Sequence, residues 1–239
     1  MPGLSWLVER PVAHRGLHNA AAGIIENTPS AVSAAVAGNY AIEVDLQITA
    51  DGEAMVHHDD ALGRLTDGSG ALASMTASAL RQVPFKATTD RMMTLSDLCD
   101  LVDGRSTLVI ELKSLRDGDP RVAERTAKVL AGYRGPAAVM SFDPFLVRCI
   151  RNIAPALTRG LVAEKAPASA TGAGGYAGNL IAARPQFLAY SVKNLPSFWP
   201  SVARHVFRMP LLTWTVRTES DRERAGRWAD QMIFEGFRP

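Results

Sequence analysis

The sequence predicts an α/β fold, a mostly parallel sheet with helical crossovers, and three observations carry that prediction. Apolar runs of strand length alternate with helix-like segments nearly throughout the 239 residues, the pattern of repeated β-α-β units. Four of those runs deliver ionisable groups at or near their carboxyl ends. Pro11-Val12-Ala13 leads into His14-Arg15-Gly16, Ile42-Glu43-Val44-Asp45 carries its own, Met55-Val56 leads into His57-His58-Asp59, and Val109-Ile110 into Glu111-Leu112-Lys113. Helix-start signals then follow short loops, which is the layout of a β/α barrel mouth. With 47% hydrophobic residues the chain can bury a substantial core, enough for one α/β barrel or two small domains.

Strands are expected at about 10–14, 41–48, 54–58, 107–112, 137–141, 157–162, 187–192 and 210–216, with a short ninth run near 231–234. Helices are expected at 29–38, 94–103, 120–132, 143–152, 196–207 and 219–228. Thr28-Pro29 offers a capping threonine with proline at the first helical position, and Asp119-Pro120 and Asp143-Pro144 repeat that signal. Thr94-Leu95-Ser96-Asp97 sets an acid three residues after its cap. Between Leu46 and Val56 there is no room for a helix, and Ala50-Asp51-Gly52-Glu53 reads as a tight turn. As a two-residue hairpin it sets Asp45 opposite His58; as a short parallel crossover it still leaves both near one barrel mouth. Residues 60–92 carry Gly63, Gly68, Gly70 and Pro84, show no clear strand or strong helix, and read as an excursion over the mouth. Loops of that length in a compact domain are usually functional. Residues 166–179, rich in Ala and Gly, read as a flexible loop after the sixth strand.

Composition narrows the function classes. The chain carries 26 basic and 24 acidic residues, a net charge of +2, too small to suggest nucleic-acid binding by charge alone. Cys99 and Cys149 fall far apart in expected helices and read as free thiols, which suits a reducing compartment. Met1 to Glu9 lacks the basic-then-apolar stretch of a secretion signal. No run approaches the ~18–20 apolar residues of a membrane span. The expectation is a cytoplasmic protein without a membrane span.

Glu43 and Asp45 stand two apart, so on a strand they share one face. Adjacent like charges raise each other's pKa unless a cation lies between them, and a hard cation such as Mg²⁺ or Ca²⁺ takes oxygen ligands of this kind. A solvent-facing pair on an edge strand, with Ile42, Val44 and Leu46 buried, is the alternative. Glu111 sits in Leu108-Val109-Ile110-Glu111-Leu112, a continuous apolar run typical of a strand covered on both faces, so exposure explains it poorly. Lys113 shares its face, either as a simple ion-pair partner or as part of a phosphate or metal site. His14 and Arg15 adjoin Gly16, where the backbone can turn sharply or approach a ligand, and the Arg15 guanidinium matches phosphate oxygens bidentately. Alternation puts only one of His57 and His58 on the site face. His58, beside Asp59, is taken as that one, with His57 packed or hydrogen-bonded outside. His18 and His205 have no comparable context and read as ordinary surface or satisfied histidines.

Taken in order, an extended series of motifs resembles the glycerophosphodiester phosphodiesterase family. It comprises His14-Arg15-Gly16, Glu26-Asn27-Thr28, Ile42-Glu43-Val44-Asp45, Thr49-Ala50-Asp51-Gly52 and His58-Asp59 with Leu62 and Arg64. Thr94-Leu95, Ile110-Glu111-Leu112-Lys113, Ser141-Phe142-Asp143 and Trp214-Thr215-Val216 complete it, so the series spans about residues 10–216. Two places depart from the family pattern. Ile25 stands where a proline usually precedes Glu-Asn-Thr, and Ile233-Phe234-Glu235-Gly236-Phe237 replaces the usual final strand ending in Thr-Asp and proline.

The resemblance implies a TIM-like (β/α)8 barrel as one domain over residues 1–239, with an inserted segment after the third strand at about 60–92. It implies a divalent cation, Mg²⁺ or Ca²⁺, and hydrolysis of small-molecule glycerophosphodiesters to sn-glycerol 3-phosphate and an alcohol. On that reading Glu43, Asp45 and Glu111 hold the cation, Arg15 helped by Lys113 holds the phosphate oxygens, and His14 and His58 divide the general acid and base roles. Trp214 then packs on the glycerol carbons at the mouth instead of lying under the helices. One rival is a phospholipase-type phosphodiesterase, for which Leu62, Leu65, Leu72 and Met75 would supply an apolar rim. Another is an inactive phosphodiester-binding barrel.

Overall fold

The computed structural model describes residues 3–165 and 173–239. Its strands are β1 (Val12–Ala13), β2 (Ala41–Ile48), β3 (Ala54–Val56), β4 (Leu108–Leu112), β5 (Ala137–Ser141), β6 (Thr158–Ala163), β7 (Phe187–Ser191), β8 (Leu211–Val216) and β9 (Gln231–Phe234). Its helices are α1 (Ser5–Val8), α2 (Pro29–Ala37), α3 (Ala77–Gln82), α4 (Leu95–Val102), α5 (Arg121–Leu130), α6 (Pro144–Ile153), α7 (Ala173–Ala183), α8 (Phe198–His205) and α9 (Glu219–Trp228). All strands except β3 pair in parallel around a closed ring, β9 returning to β1, and helices lie between them. No helix among the described residues is long and apolar enough to cross a membrane.

Side-chain alternation divides each barrel strand into an inward and an outward set. Outward residues such as Ile42, Val44, Ile110 and Val139 pack against Val32, Leu98, Val122 and Ile150 of the surrounding helices. Inward residues fill the barrel: Val12, Val109, Met140, Val162, Phe187, Leu212 and Ile233 form one buried cluster. Gly160 makes room within it, because a Cβ there would lie 2.4 Å from the Phe187 ring. At the carboxyl ends the same inward phase continues into His14, Glu43, Asp45 and Glu111. Helix entry follows the expected local chemistry at α2, α4 and α6, whereas at α5 Pro120 itself holds the cap position without a side-chain cap bond and Asp119 accepts from Arg121 N–H. Thr28 accepts a hydrogen bond from the Ala31 N–H, Thr94 and Asp97 form a reciprocal capping box, and Asp143 accepts from Phe145 N–H.

Three readings of the sequence need correction. The connection between β2 and β3 is an antiparallel hairpin, but its loop is one residue longer than the two-residue turn. Thr49 N–H donates to Glu53 O across Ala50-Asp51-Gly52, with Gly52 in the left-handed region at φ +77°. The pairing is therefore Leu46 with Val56, and His57, not His58, lies opposite Asp45, donating its N–H to Asp45 O at 3.0 Å. Residues 173–183 form α7, so the loop expected over 166–179 is wrong from 173 onward; residues 166–172 lie outside the described residues. Within the excursion α3 is a capped helix, Thr76 accepting from Ala79 N–H. The excursion builds its own cluster, in which Leu62, Leu72, Leu80 and Phe85 pack on Ile25 and Met55.

Helix α1, four residues long and too short to leave a periodic signal, plugs the end of the barrel away from the mouth. Its Leu7 is fully buried in the inward cluster, and Gln231 of β9 donates its side-chain amide to Val8 O at 3.0 Å. Leu7→Ala should therefore leave a cavity and cost about 2–5 kcal/mol in urea-induced unfolding. A loss below about 1 kcal/mol would mean that α1 merely rests against the barrel.

Candidate active site

The site is assembled where the inward faces of β1, β2 and β4 reach the mouth. Parallel register places Asp45 beside Glu111, and alternation adds Glu43 to the same face. Glu43 and Asp45 are 1% exposed and Glu111 8%, and ligand oxygens of the three lie within 4.8 Å of one another. Burial, with repulsion from Asp45 and Glu111, pushes the Glu43 carboxyl well above its ordinary pKa. Glu111 is pushed up to about 7 by burial and Asp45, against the opposing pull of Lys113. Asp45 goes the other way: burial would raise it, but Lys113 and Arg15 outweigh burial and hold it at about 2.

Hydrogen bonds fix these groups unevenly. Asn27 donates its side-chain amide to Asp45 Oδ2 at 2.9 Å and accepts from Asp45 N–H at 3.3 Å. Glu43 Oε2 accepts the Arg15 backbone N–H at 2.9 Å, whereas buried Glu43 Oε1 has no hydrogen-bond partner. Arg15 presents that N–H because it adopts φ +55°. Gly16 follows at φ +78°, where a Cβ would meet the Ala31 backbone at 2.8 Å. Three buried carboxylates with one orphaned oxygen form a donor set that a hard divalent cation fits, since its charge would relieve both the repulsion and the missing bond. Lys113 Nζ sits 2.9 Å from Asp45 Oδ1 and 2.7 Å from Glu111 Oε1, so the neighbour ion pair is present while the lysine still lines the cavity. The Arg15 guanidinium lies 2.7 Å from Glu26 and 3.4 Å from Asp45.

Both expected histidines face this cavity, each with Nδ1 on a carboxylate. His14 Nδ1 lies 2.5 Å from Glu235 Oε2, and its Nε2 is 3.9 Å from Glu43 Oε2. Burial lowers the His14 pKa, with Glu235 opposing. His58 Nδ1 lies 2.8 Å from Asp59 Oδ1, and Arg64 donates to both Asp59 oxygens at 2.6 and 3.1 Å. Partial burial would raise Asp59, but Arg64 and His58 overcome it and hold it at about 2. Arg64 also donates to Glu26 at 2.6 Å, joining the second histidine's partner to the partner of Arg15. His57 is 2% exposed and is not part of the cavity wall. His18, read from sequence as ordinary, places Nε2 3.9 Å from Glu235, while His205 is exposed at the end of α8.

The cavity, about 230 Å³, is closed on its far side by Phe142, Ser191, Lys193, Trp214 and Arg217. Trp214 faces the mouth and meets Phe142 edge-on, ring centroids 5.3 Å apart and planes at 84°. Its buried Nε1 has no hydrogen-bond partner. Leu62 and Leu72 are buried under the excursion, with Leu65 and Met75 packed against them, so these four side chains form no apolar rim. Sequence reading missed Glu235, although Met232-Ile233-Phe234 ends in it just as the other four runs end in ionisable groups. It also gave no role to Asn27 or Lys193, which carry no periodic signal of their own.

Solved structures share this architecture. A phosphodiesterase from Oleispira antarctica, determined in complex with the product sn-glycerol-3-phosphate, superposes with a TM-score of 0.79 at 20% identity over 96% of this chain and 94% of that one. A glycerophosphodiester phosphodiesterase from Thermotoga maritima gives 0.74 at 20% identity over 94% of each. In sequence, a glycerophosphodiester phosphodiesterase of Caldanaerobacter subterraneus subsp. tengcongensis is 30% identical over 161 residues, 63% of this chain and 65% of the relative. Glycerophosphodiester phosphodiesterase 1 of Bos taurus is 40% identical over 74 residues, covering 30% of this chain and 21% of that protein. The model of the glycerophosphoryl diester phosphodiesterase family matches residues 14–237, from His14 through Glu235 and beyond, and the chain belongs to that family.

Proposed function

We propose that the protein hydrolyses glycerophosphodiesters to sn-glycerol 3-phosphate and an alcohol. The observation that carries this reading is the pairing, in one cavity, of a buried carboxylate trio that leaves Glu43 Oε1 without a partner with two histidines anchored through Nδ1. The Oleispira antarctica phosphodiesterase, which has the same fold, was determined with the product sn-glycerol-3-phosphate, and that supports the choice of substrate. A divalent cation, Mg²⁺ or Ca²⁺, would be held by Glu43, Asp45 and Glu111, and when bound it would neutralise charge on a phosphoryl oxygen.

The chain's own groups supply the rest. Arg15 and Lys113 line the cavity and hold the remaining phosphate oxygens. One histidine takes the proton of the attacking hydroxyl, which is either water or the glycerol 2-hydroxyl; in the second case the cyclic diester that forms is then opened by water, breaking its P–O bond to the 2-oxygen and giving sn-glycerol 3-phosphate. The P–O bond to the alcohol breaks, and the other histidine protonates the departing alkoxide. Each transfer is worth ~10²–10⁴-fold. Trp214 offers a flat apolar face for the glycerol carbons, a contact that contributes binding more than transition-state stabilisation. The packing of Leu62, Leu65, Leu72 and Met75 within the excursion takes from the lipid-substrate alternative the residues that would have formed its apolar rim.

Purified protein incubated with glycerophosphocholine, glycerophosphoethanolamine and glycerophosphoglycerol should release sn-glycerol 3-phosphate. Chelation should abolish release, and Mg²⁺, Mn²⁺ or Ca²⁺ should restore it. Full turnover in excess EDTA, after verified metal removal, would sink the site as drawn. His14→Ala and His58→Ala should each lower kcat by ~10²–10⁴-fold. The double variant should lose little more than the worse single, since groups acting as a unit are non-additive. His57→Ala should be far milder; if it proves the most damaging of the three, the assignment of the second histidine is wrong.

A further inference from the structure

We propose that Glu235 is a positioning residue that sets the orientation and tautomer of His14, so that its Nε2 alone addresses the cavity. The inference rests on the phosphodiesterase reading for its kinetic consequence, but the geometry behind it stands apart. Residues Ala13 of β1 and Phe234 of β9 pair in parallel, and His14 N–H donates to Phe234 O at 2.9 Å. The next residues along, His14 and Glu235, therefore emerge side by side at the seam where the barrel closes. There the ring Nδ1 meets Glu235 Oε2 at 2.5 Å.

The carboxylate is held at its other end as well. Arg217, at the end of β8, donates Nε to Glu235 Oε1 at 2.5 Å, and the Glu235 backbone N–H donates to Val216 O at 3.1 Å. A carboxylate shared between a guanidinium and an imidazole cannot rotate without losing one partner. It is ionised, its pKa held far below the ordinary carboxylate value because His14, His18 and Arg217 outweigh its partial burial. An ionised carboxylate only accepts, so Nδ1 must carry the proton. Nε2 is then left facing Glu43 across 3.9 Å, bare in the neutral ring and protonated in the charged one. In either state the proton that matters moves at Nε2. His58 shows the same device, with Asp59 and Arg64 in the places of Glu235 and Arg217. The two partners differ in sequence placement: Asp59 adjoins its histidine, while Glu235 arrives from the far end of the chain.

The test compares Glu235→Gln and Glu235→Asp with the unaltered protein. An amide can donate to Nδ1 and so stabilise the opposite tautomer, whereas aspartate keeps the accepting charge. Two-bond ¹H–¹⁵N correlation spectra of the histidine rings should show the His14 proton on Nδ1 in the unaltered protein. It should move to Nε2 in Glu235→Gln and return to Nδ1 in Glu235→Asp, with His58 unchanged throughout. Kinetically, Glu235→Gln should lower kcat by on the order of 10²-fold or more with KM within about twofold. Glu235→Asp should recover most of that loss, as expected for a carboxylate that orients a histidine acting in proton transfer. A His14 tautomer in the unaltered protein with the proton on Nε2 would overturn the proposal, whether or not either variant folds. So would a tautomer indifferent to Glu235→Gln, or a loss confined to KM. If no glycerophosphodiester is turned over at all, the functional reading falls while the spectra still decide the role of Glu235.

Discussion

Three carboxylates held out of water within 4.8 Å of one another are the constraint around which the rest of the mouth is arranged. Burying one ionised carboxylate costs several kcal/mol unless charge or hydrogen bonds compensate, and neighbours of like charge add to that. The chain answers the demand residue by residue. Asp45 receives Lys113, Arg15 and the Asn27 amide and stays ionised. Among the described residues Glu111 has Lys113 as its hydrogen-bond partner, and Glu43 has one backbone N–H on Oε2 with His14 Nε2 3.9 Å from the same oxygen. The deficit thus concentrates on Glu43 and Glu111, where both pKa values are raised. A site deficient in positive charge at a stated place is what a divalent cation fits.

Around that centre runs a web of alternating charges: Arg15 to Glu26, Glu26 to Arg64, Arg64 to Asp59, Asp59 to His58. On the opposite side Glu235 links His14 to Arg217. Several members come from loops, including the excursion after β3, and their worth lies in geometry more than stability, because partly exposed ion pairs contribute little. The barrel supplies the rigid part. Its inward positions are apolar through most of their depth and change to ionisable only at the carboxyl ends, so one alternation both fills the core and points the chemistry outward.

Much of this was legible in the sequence because it rests on short-range rules. Each expected strand and helix lies within two residues of an observed one, since apolar runs and capping residues are local signals. Glu43, Asp45, Glu111, His14 and His58 stood out because ionisable groups in continuous apolar strands are hard to explain otherwise. The hairpin register was not legible: one left-handed glycine, Gly52, lengthens the loop by a residue and reverses which histidine faces Asp45. His58 reaches the cavity beyond the last paired residue, where strand phase no longer applies. Helix α7 was hidden by Ala and Gly composition, which reads as loop although the segment packs against α6. Glu235 was hidden for a different reason: its meaning depends on barrel closure, which brings residues 221 positions apart into hydrogen-bond contact.

Calorimetric titration of Mg²⁺ or Ca²⁺ into metal-free protein near pH 7, repeated in buffers of different ionisation enthalpy, tests the carboxylate centre most directly. Because Glu43 and Glu111 hold protons more tightly than ordinary carboxylates, a cation that binds between them must displace protons into the buffer. The account predicts one ion per chain with net proton release, affinity rising with pH, and both binding and proton release diminished in Glu43→Gln and in Glu111→Gln. Absence of binding, or binding without proton exchange that survives both substitutions, would contradict it.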